Sequence, residues 1–561
     1  MYFKEIKNKS LLLACIAAFL FFAFASIKKP FIMDEIFFVN AAIGENREAL
    51  VAALTHPPLY IYMVMLSFKI FGVSEVSARI VGILFSLATI ILIYMLSLEI
   101  FYENKKKHLI ALSGSFIYAI NPFVIQNSVL TAMDSTMLPF LITFFMLIFV
   151  KTAAMKNKRL QILGILFGIL LWTKFSTPLF MMLAIFSFYV LNKEYKKGII
   201  NCVGIIVIGA AFFLLTWALY SIIFNIPFWT PFAYNTNTLV YRLERGHGFL
   251  ALLKALWGLK SISFWVTPFF SLLVTIILYQ RGKKFLEIRK LIYPDLLLIC
   301  SLTIVILYSV IFPLGYGFPF YYFPSIALFS ILIGELIATS DIDRIFKENY
   351  IKCFACLGIV WIYLFYVVKD PIILPWKQEY DVFIFIYNNS FSSFITFLVY
   401  KTFIYMLPVL IFFILFMIFR FERSKLVVIS LIFALISTSI YLDAVQSQAD
   451  YSTTYNYGET GLRETASYVS NHTNKSDIII ADLDIGYYAG RRYYNPFEIS
   501  HCEESDFTIC QRQFEEIIES NKITYLVFRS DVLWKKEVNE YMNSKYKFVS
   551  RIGSFELYEN K

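Results

Sequence analysis

Charged residues are scarce in this chain. Asp, Glu, Lys and Arg make up 16% of the 561 residues, whereas 59% are hydrophobic and the mean hydropathy is +0.66. This composition excludes an ordinary soluble domain and indicates a polytopic membrane protein. The chain also lacks the GxGxxG and P-loop motifs of nucleotide-binding sites. It shows no internal repeat of the kind that builds many transporters.

The positive charges are unevenly distributed. A net charge of +10 would suit a nucleic-acid partner, but Lys and Arg cluster in short segments between apolar runs, as in cytoplasmic loops. With a cytoplasmic N-terminus, the inner loops are 103–108, 156–159, 192–197, 281–290, 341–347 and 420–425. We therefore expect no nucleic-acid partner. We expect Asp34, Glu35 and everything after about residue 445 on the extracytoplasmic face of the plasma membrane.

The apolar runs have the length of membrane spans, each of about 20 residues. The first run follows several lysines, as in a signal peptide, but no small-residue cleavage site follows it, which predicts an uncleaved span. The outer loop 28–75 is moderately apolar and broken by Pro, which predicts helices in the interface plane. The sequence predicts about 13 spans, near residues 10–27, 76–98, 109–127, 136–151, 160–175, 177–191, 199–223, 262–279, 292–312, 321–339, 351–368, 394–419 and 425–444.

The composition changes near residue 445 to that of a soluble domain. Helical patterns alternate with strand patterns there, which predicts a small α/β domain over 445–561 beside a transmembrane domain over 1–444. Helices are expected at 459–471, 511–520 and 532–541, and strands at 477–481, 523–528, 546–551 and 554–558.

The seven cysteines fall into two groups. Cys502 and Cys510 lie in the polar tail, where a disulfide between them is one possibility. The other five lie in or beside apolar segments and are expected to pack as small apolar side chains: Cys15, Cys202, Cys300, Cys353 and Cys356.

Two adjacent carboxylates follow the first span. Asp34 and Glu35 stand between apolar residues at a membrane edge, where an unpaired carboxylate costs several kcal/mol and is usually retained for a site. The alternative is a helix cap, because acidic residues at a helix N-terminus stabilise it by under about 1 kcal/mol. His56 lies further along the same loop, before two prolines that fix its backbone; it is a site residue or a loop-packing residue.

Three further outer segments carry ionisable residues. Asp134 opens a span and either serves a site or caps the helix with Ser135 and Thr136. Lys174 ends a span on the outer side, where the charge rule disfavours it, so it either extends to the interface or meets an anion such as a phosphate. The loop 225–250 adds a set of charged residues: Arg242, Glu244, Arg245 and His247.

The order of these motifs resembles that of the GT-C class of membrane glycosyltransferases. Asp-Glu follows span one, His-Pro-Pro-Leu comes next, an Asp opens span four, and Trp-Thr-Lys ends span five. The pattern is most similar to the family 39-like group, which includes protein O-mannosyltransferases and lipid A aminoarabinose transferases. The resemblance covers about 1–340 and is strongest over 30–180.

The resemblance implies an activity and a set of roles. In that family a sugar moves from a polyprenyl phosphate to a lipid, glycan or protein acceptor on the outer face, with inversion. Asp34 then matches the catalytic base, Glu35 its partner, Asp134 a second acidic position and Lys174 a lysine near the donor phosphate. Tyr321 lies in a cavity motif that begins with a basic residue in relatives. Phe320 stands at that position here, and the substitutes are Arg242, Arg245 or His247.

Elementary chemistry agrees with these roles. A polyprenyl donor keeps its tail in lipid, and a Lys or Arg at the interface neutralises the leaving phosphate. Displacement at the sugar needs one carboxylate base on the opposite face. No cofactor is implied by a motif; a divalent metal on Glu35 and His56 is possible, although the spacing gives no metal signature.

Other functions stay open at this stage. An oligosaccharyltransferase of the same class would carry a Trp-Trp-Asp-type motif in its tail, and this tail has none. A flippase or transporter for lipid-linked sugars predicts charges at span centres and repeat symmetry. A polymerase of polyprenyl-linked glycans works on the same face. The aromatic and Arg-rich run 487–494 is either an acceptor or lid element or an ordinary loop.

Overall fold

The computed structural model consists of two compact units. The first comprises Met1–Ile27, Phe38–Leu374 and Gln378–Gln448, and the second Lys28–Phe37, Pro375–Lys377 and Ala449–Lys561. The structure describes residues 2–31, 34–44, 57–132, 136–154, 158–233, 236, 262–263, 265–311, 319–340, 351, 353, 355–364, 406–418, 426–448, 460–494, 516–519, 523–529 and 543–561.

Helices build the part of the chain before residue 449. Long runs of Leu, Ile and Phe form them, and Pro is placed in the first turn of several, where its missing N–H costs no hydrogen bond. Two 3₁₀ turns, Thr152–Ala154 and Pro319–Tyr322, also occur. The helices are α1 Tyr2–Ser26, α2 Asp34–Ile43, α3 Leu59–Phe71, α4 Glu75–Ile100, α5 Lys107–Ala119, α6 Pro122–Ser128, α7 Met137–Lys151, α8 Arg159–Leu171, α9 Ser176–Leu191, α10 Tyr195–Phe224, α11 Pro268–Ile288, α12 Tyr293–Ile311, α13 Phe323–Thr339, α14 Ala355–Leu364, α15 Met406–Ile418 and α16 Leu426–Gln448.

Four of the described helices are long and apolar enough to cross a membrane: Asn8–Ser26, Glu75–Ile100, Tyr195–Phe224 and Leu426–Gln448. A fifth span results if α5 and α6 count as one. Most of the shorter apolar helices coincide, to within a residue or two, with parts of the runs that the sequence marks as spans. The exception is Leu59–Phe71, which lies in the outer loop 28–75, where the sequence predicts interfacial helices. The total of about 13 spans stays a prediction.

The segment expected as one span at 109–127 is interrupted. Helices α5 and α6 meet at a bend of 63°. Asn121 causes the break, because its side chain accepts a hydrogen bond from the Phe123 N–H and so caps a new helix that Pro122 begins.

Glycines let pairs of helices approach closely. Gly164 and Gly168 of α8 face Gly209 of α10, and a Cβ atom on Gly209 would lie 2.7 Å from the Gly164 carbonyl oxygen. Gly334 of α13 meets Gly114 of α5 in the same way, with a Cβ 2.6 Å from the Gly114 nitrogen. Small residues at such crossings are typical of helix packing in membranes.

The cysteines expected to pack are buried: Cys15, Cys202, Cys300, Cys353 and Cys356. The last two have C-x-x-C spacing, which also occurs at metal and redox sites, but they lie at an apolar helix. Among the described residues, no group of three His, Cys, Asp or Glu could hold a metal ion.

The second unit contains a five-stranded mixed sheet in the order β2-β1-β3-β5-β4. Its strands are β1 Ile478–Ile480, β2 Arg492–Tyr494, β3 Tyr525–Arg529, β4 Tyr546–Ile552 and β5 Phe555–Asn560. Strands β1, β2 and β3 are parallel, whereas β5 is antiparallel to β3 and β4. Two helices, α17 Leu462–His472 and α18 Leu483–Ala489, pack against each other.

The predicted elements of this domain agree with the described ones at one helix and four strands. The sequence leaves the run 487–494 open between an acceptor or lid element and an ordinary loop. In the structure it forms the end of α18 and the strand β2. Residues 516–519 are helical, as expected for 511–520. The expected helix at 532–541 lies outside the described residues.

Candidate active site

The Trp-Thr-Lys motif forms the turn that ends α8. The Thr173 hydroxyl donates to the Leu170 carbonyl at 2.6 Å, and the Lys174 N–H donates to the same carbonyl at 3.1 Å. Trp172 is fixed from the other side, because its Nε1–H donates to Thr216 Oγ1 of α10 at 2.8 Å. All three residues of the motif therefore have a defined place in the turn.

The Lys174 side chain is buried against two aromatic rings. It is 4% exposed, and its Nζ lies 4.1 Å from the ring centroid of Tyr321 and 5.2 Å from that of Tyr308. The two rings are stacked, with centroids 5.2 Å apart and planes at 17°. A cation over a desolvated ring face gains about 2 kcal/mol. The structure thus brings together two predicted site residues, Lys174 and Tyr321, from distant parts of the sequence.

Tyr308 is a residue of this cluster that sequence analysis missed. Its hydroxyl hydrogen-bonds to Ser176 Oγ at 2.8 Å and to Thr177 Oγ1, and this ties α12 to the first turn of α9. Phe180 packs edge-on against the same ring at 5.1 Å. The signal in the sequence is a single tyrosine in a predicted span, which is too common to single out.

An aromatic wall lies beside this turn. Trp172 packs against Phe213, Trp217 and Tyr220 of α10, with ring centroids 5.6 to 5.7 Å apart. The Tyr220 hydroxyl hydrogen-bonds to the Tyr62 hydroxyl of α3 at 2.8 Å. The three α10 rings are buried, so they form a packed aromatic core that holds the turn and carries a fixed pair of hydroxyl groups.

Helix α6 carries buried polar side chains. Gln126, Asn127, Ser128 and the following Thr131 are at most 7% exposed. Asn127 donates to the Phe123 carbonyl at 2.7 Å, whereas its Oδ1 has no hydrogen-bond partner in the described part of the chain. Sequence analysis missed this half-helix, although Gln-Asn-Ser inside an expected span is a usable signal.

The predicted carboxylate pair lies at the start of α2, and that helix begins at Asp34. Glu35 is 1% exposed. Both belong to the segment Lys28–Phe37 of the second unit. Four predicted site residues lie outside the described residues: His56, Asp134, Arg242 and Arg245. His247 lies outside them as well. Their roles, and the metal considered for Glu35 and His56, stay predictions.

Two further buried ionisable sites occur in the helical unit. Arg281 pairs with Asp295 at 2.9 Å and with Glu335, so two carboxylates surround one guanidinium. Asp443 of α16 is 1% exposed, and both of its carboxylate oxygens lack a hydrogen-bond partner in the described structure. Sequence analysis missed Asp443 because it lies at the end of an otherwise apolar run.

Comparison with known proteins gives two kinds of match. Residues 55–221 match the family described as dolichyl-phosphate-mannose-protein mannosyltransferase. The structure of ArnT, a lipid A aminoarabinose transferase from Cupriavidus metallidurans, bound to undecaprenyl phosphate, is similar with a TM-score of 0.59 and 11% identity over 98% of both chains. The apo structure of ArnT from the same organism gives 0.52 and 12% identity, over 99% of this chain and 98% of that chain.

At such low identity, the solved structures establish the fold. No curated protein sequence matches the chain. The family match is independent of the fold and includes the Trp-Thr-Lys turn. Together they confirm that the chain resembles the membrane glycosyltransferases of the GT-C class, as the order of its motifs predicts.

Proposed function

We propose that the protein transfers a sugar from a polyprenyl-phosphate donor to an acceptor on the extracytoplasmic face of the plasma membrane. The observation that carries the proposal is the mannosyltransferase family match over 55–221, a range that contains the buried Lys174. The same range contains Ser176 and Thr177, which hydrogen-bond to the hydroxyl of Tyr308, one of the two rings beside Lys174. The shared fold with a protein that binds undecaprenyl phosphate supports the same class of donor.

The proposed reaction follows from the chemistry of the acceptor hydroxyl and the donor's sugar phosphate. The acceptor hydroxyl attacks the anomeric carbon of the donor while the bond from that carbon to the phosphate oxygen breaks, which inverts the configuration. Asp34 takes the hydroxyl proton as the base, and Glu35 is the partner of Asp34 in the motif. The polyprenyl phosphate leaves with an added negative charge, which the Lys174 ammonium stabilises.

The rings around Lys174 support this role. A lysine on a flexible stem loses side-chain entropy on binding a phosphate, and the Tyr308 and Tyr321 rings restrict that stem before the donor arrives. We propose that His56 and Asp134 lie near the donor, since both belong to the motif order, and that Arg242 and Arg245 substitute there for the basic residue that Phe320 replaces.

The test is transfer of label from a radiolabelled polyprenyl-phosphate hexose in native membranes, with the wild type beside Asp34→Asn. We expect label in an acceptor with the wild type and at least a hundredfold less with the variant at equal expression. Equal transfer by the variant removes Asp34 from the chemistry and points to Asp134. No transfer by either protein, across several donor sugars and including a pentose, overturns the proposal in favour of a polymerase or flippase.

A further inference from the structure

The segment before α2 is held by the C-terminal domain. Lys28–Phe37 belongs to the same compact unit as the C-terminal sheet and its helices α17 and α18. Within that unit, Phe31 is 1% exposed. It lies three residues before Asp34 in the sequence.

Three contacts join this segment to the two helices. The Phe31 backbone N–H donates to the Tyr488 hydroxyl at 2.5 Å, and the Phe31 ring packs edge-on against Tyr487 at 6.2 Å and 74°. Three residues before Phe31 in the sequence, the Lys28 carbonyl accepts a hydrogen bond from Arg463 of α17 at 3.1 Å. The Arg463 guanidinium also lies 5.6 Å from the Tyr488 ring centroid, so the segment contacts two residues that contact each other.

Tyr487 and Tyr488 lie in α18, and hydrogen bonds fix that helix against α17. Helix α18 ends at Gly490, whose φ of +62° suits glycine, and the ring of Tyr493 covers Gly486 so closely that no Cβ would fit there. The following Arg491 donates to the Thr473 hydroxyl, the Thr473 carbonyl and the Ser470 carbonyl, each at 2.7 Å. These bonds fix α18 against the end of α17.

We propose that Tyr488 and Arg463 are positioning residues for Asp34 and Glu35. This inference rests on the proposed function. The two side chains hold the backbone at Lys28 and Phe31 and thereby set where α2 begins, while touching neither the donor nor the acceptor. The aromatic run 487–494 then acts on the reaction through the carboxylates and is not itself an acceptor site.

The consequence is a specific kinetic effect. A displacement of about 1 Å at a reacting group can lower a rate by about a hundredfold, and loss of one neutral hydrogen bond allows only part of that displacement. We therefore expect Tyr488→Phe to lower kcat about tenfold with an unchanged KM for the polyprenyl-phosphate donor. Arg463→Ala is expected to have a similar effect, and Arg463→Lys, which can still donate to the Lys28 carbonyl, a smaller one.

Tyr525→Phe is the matched control. The Tyr525 hydroxyl donates to Glu559 at 2.9 Å inside the same sheet. Burial, and then the hydrogen bond to Glu559, raise the pKa of Tyr525 above its ordinary value, so it stays a neutral donor. This variant loses one tyrosine hydrogen bond from the domain but none to the 28–37 segment, and we expect wild-type kcat.

The experiment measures two quantities on the full-length protein in detergent. The first is hydrogen exchange of the peptide that covers residues 28–37. We expect faster exchange in Tyr488→Phe than in the wild type and in Tyr525→Phe, and this readout does not depend on any activity. The second is steady-state transfer from polyprenyl-phosphate hexose.

Faster exchange with a lower kcat in Tyr488→Phe, but not in Tyr525→Phe, supports the proposal. Unchanged exchange overturns it, and so does faster exchange with an unchanged kcat. A raised KM for the acceptor with unchanged kcat shows an acceptor site and also overturns it. A wild type that transfers no sugar overturns the proposed function itself, which is distinguishable because exchange would still report whether Tyr488 holds the segment.

Discussion

Two buried cations of the helical unit have opposite surroundings. Arg281 is bonded to two carboxylates, Asp295 and Glu335, whereas Lys174 lies against the faces of two tyrosines. The two carboxylates more than neutralise the Arg281 guanidinium, whereas the tyrosine rings add a cation–π attraction to the Lys174 ammonium. The comparison teaches that burial of charge alone does not identify a functional site. We infer that Arg281 serves the fold and Lys174 serves a ligand, and four substitutions test that difference.

The largest effect is expected from removal of Arg281. Arg281→Met leaves the buried Asp295 and the half-buried Glu335 facing each other without a cation. Breaking a fully buried pair costs about 3–5 kcal/mol, which is the upper bound for this partly exposed site. We expect a strongly lowered Tm in detergent, with activity per folded molecule unchanged. A triple variant with Arg281→Met, Asp295→Leu and Glu335→Leu removes all three charges and should recover most of the stability. A loss of activity that exceeds the loss of folded protein would show that Arg281 serves a ligand after all.

Lys174→Met should act on the reaction. Removing a single group that stabilises a transition-state charge lowers the rate by about 10²–10³-fold, or about 2.7–4 kcal/mol. The Met side chain keeps the apolar contact with the rings, and removal of the buried ammonium's desolvation cost offsets the lost cation–π attraction, so Tm should change little. Lys174→Arg, which keeps the charge, is the control and should retain part of the activity. A Tm loss as large as that of Arg281→Met, with activity per folded molecule preserved, would contradict the functional role.

Asp443 extends the comparison to a buried acid whose carboxylate has no hydrogen-bond partner among the described residues. An unsatisfied buried polar group costs about 1–3 kcal/mol, so Asp443→Leu is expected to raise Tm by removing that cost. Asp443→Asn is the control, because it keeps the size and still leaves polar atoms unsatisfied, and should raise Tm less. Transfer from the polyprenyl donor should be unchanged in both variants. A stabilised but inactive Asp443→Leu would instead assign Asp443 to substrate binding.

The same pair of cations shows what the sequence predicts and what it does not. The apolar runs set the helices, so most helix bounds were predictable. A positive charge at the end of a span that the charge rule predicts to be the outer one is enough to single out Lys174. Its contact with Tyr321 was not predictable, because tertiary packing alone brings the end of α8 to the turn before α13. Hydropathy also averages over a whole span, so it did not single out Tyr308 or Asp443 within their apolar runs. The break between α5 and α6 was missed because hydropathy shows one continuous apolar run over 109–127. The cap that Asn121 provides for α6 is a local hydrogen bond that hydropathy does not report.

Tyr308→Phe gives the smallest effect and separates the two functions of that ring. The variant keeps the face over which Lys174 lies and loses the hydroxyl contacts with Ser176 and Thr177. A hydrogen bond of this type contributes about 0.5–1.5 kcal/mol, so Tm should fall slightly while the KM for the donor stays near that of the wild type. Tyr308→Leu removes the ring face as well, and we expect it to raise the donor KM in addition. If both variants lower Tm equally and leave the donor KM unchanged, the ring only holds α12 to α9 and does nothing for Lys174. The surroundings of Lys174 would then serve the fold, as those of Arg281 do.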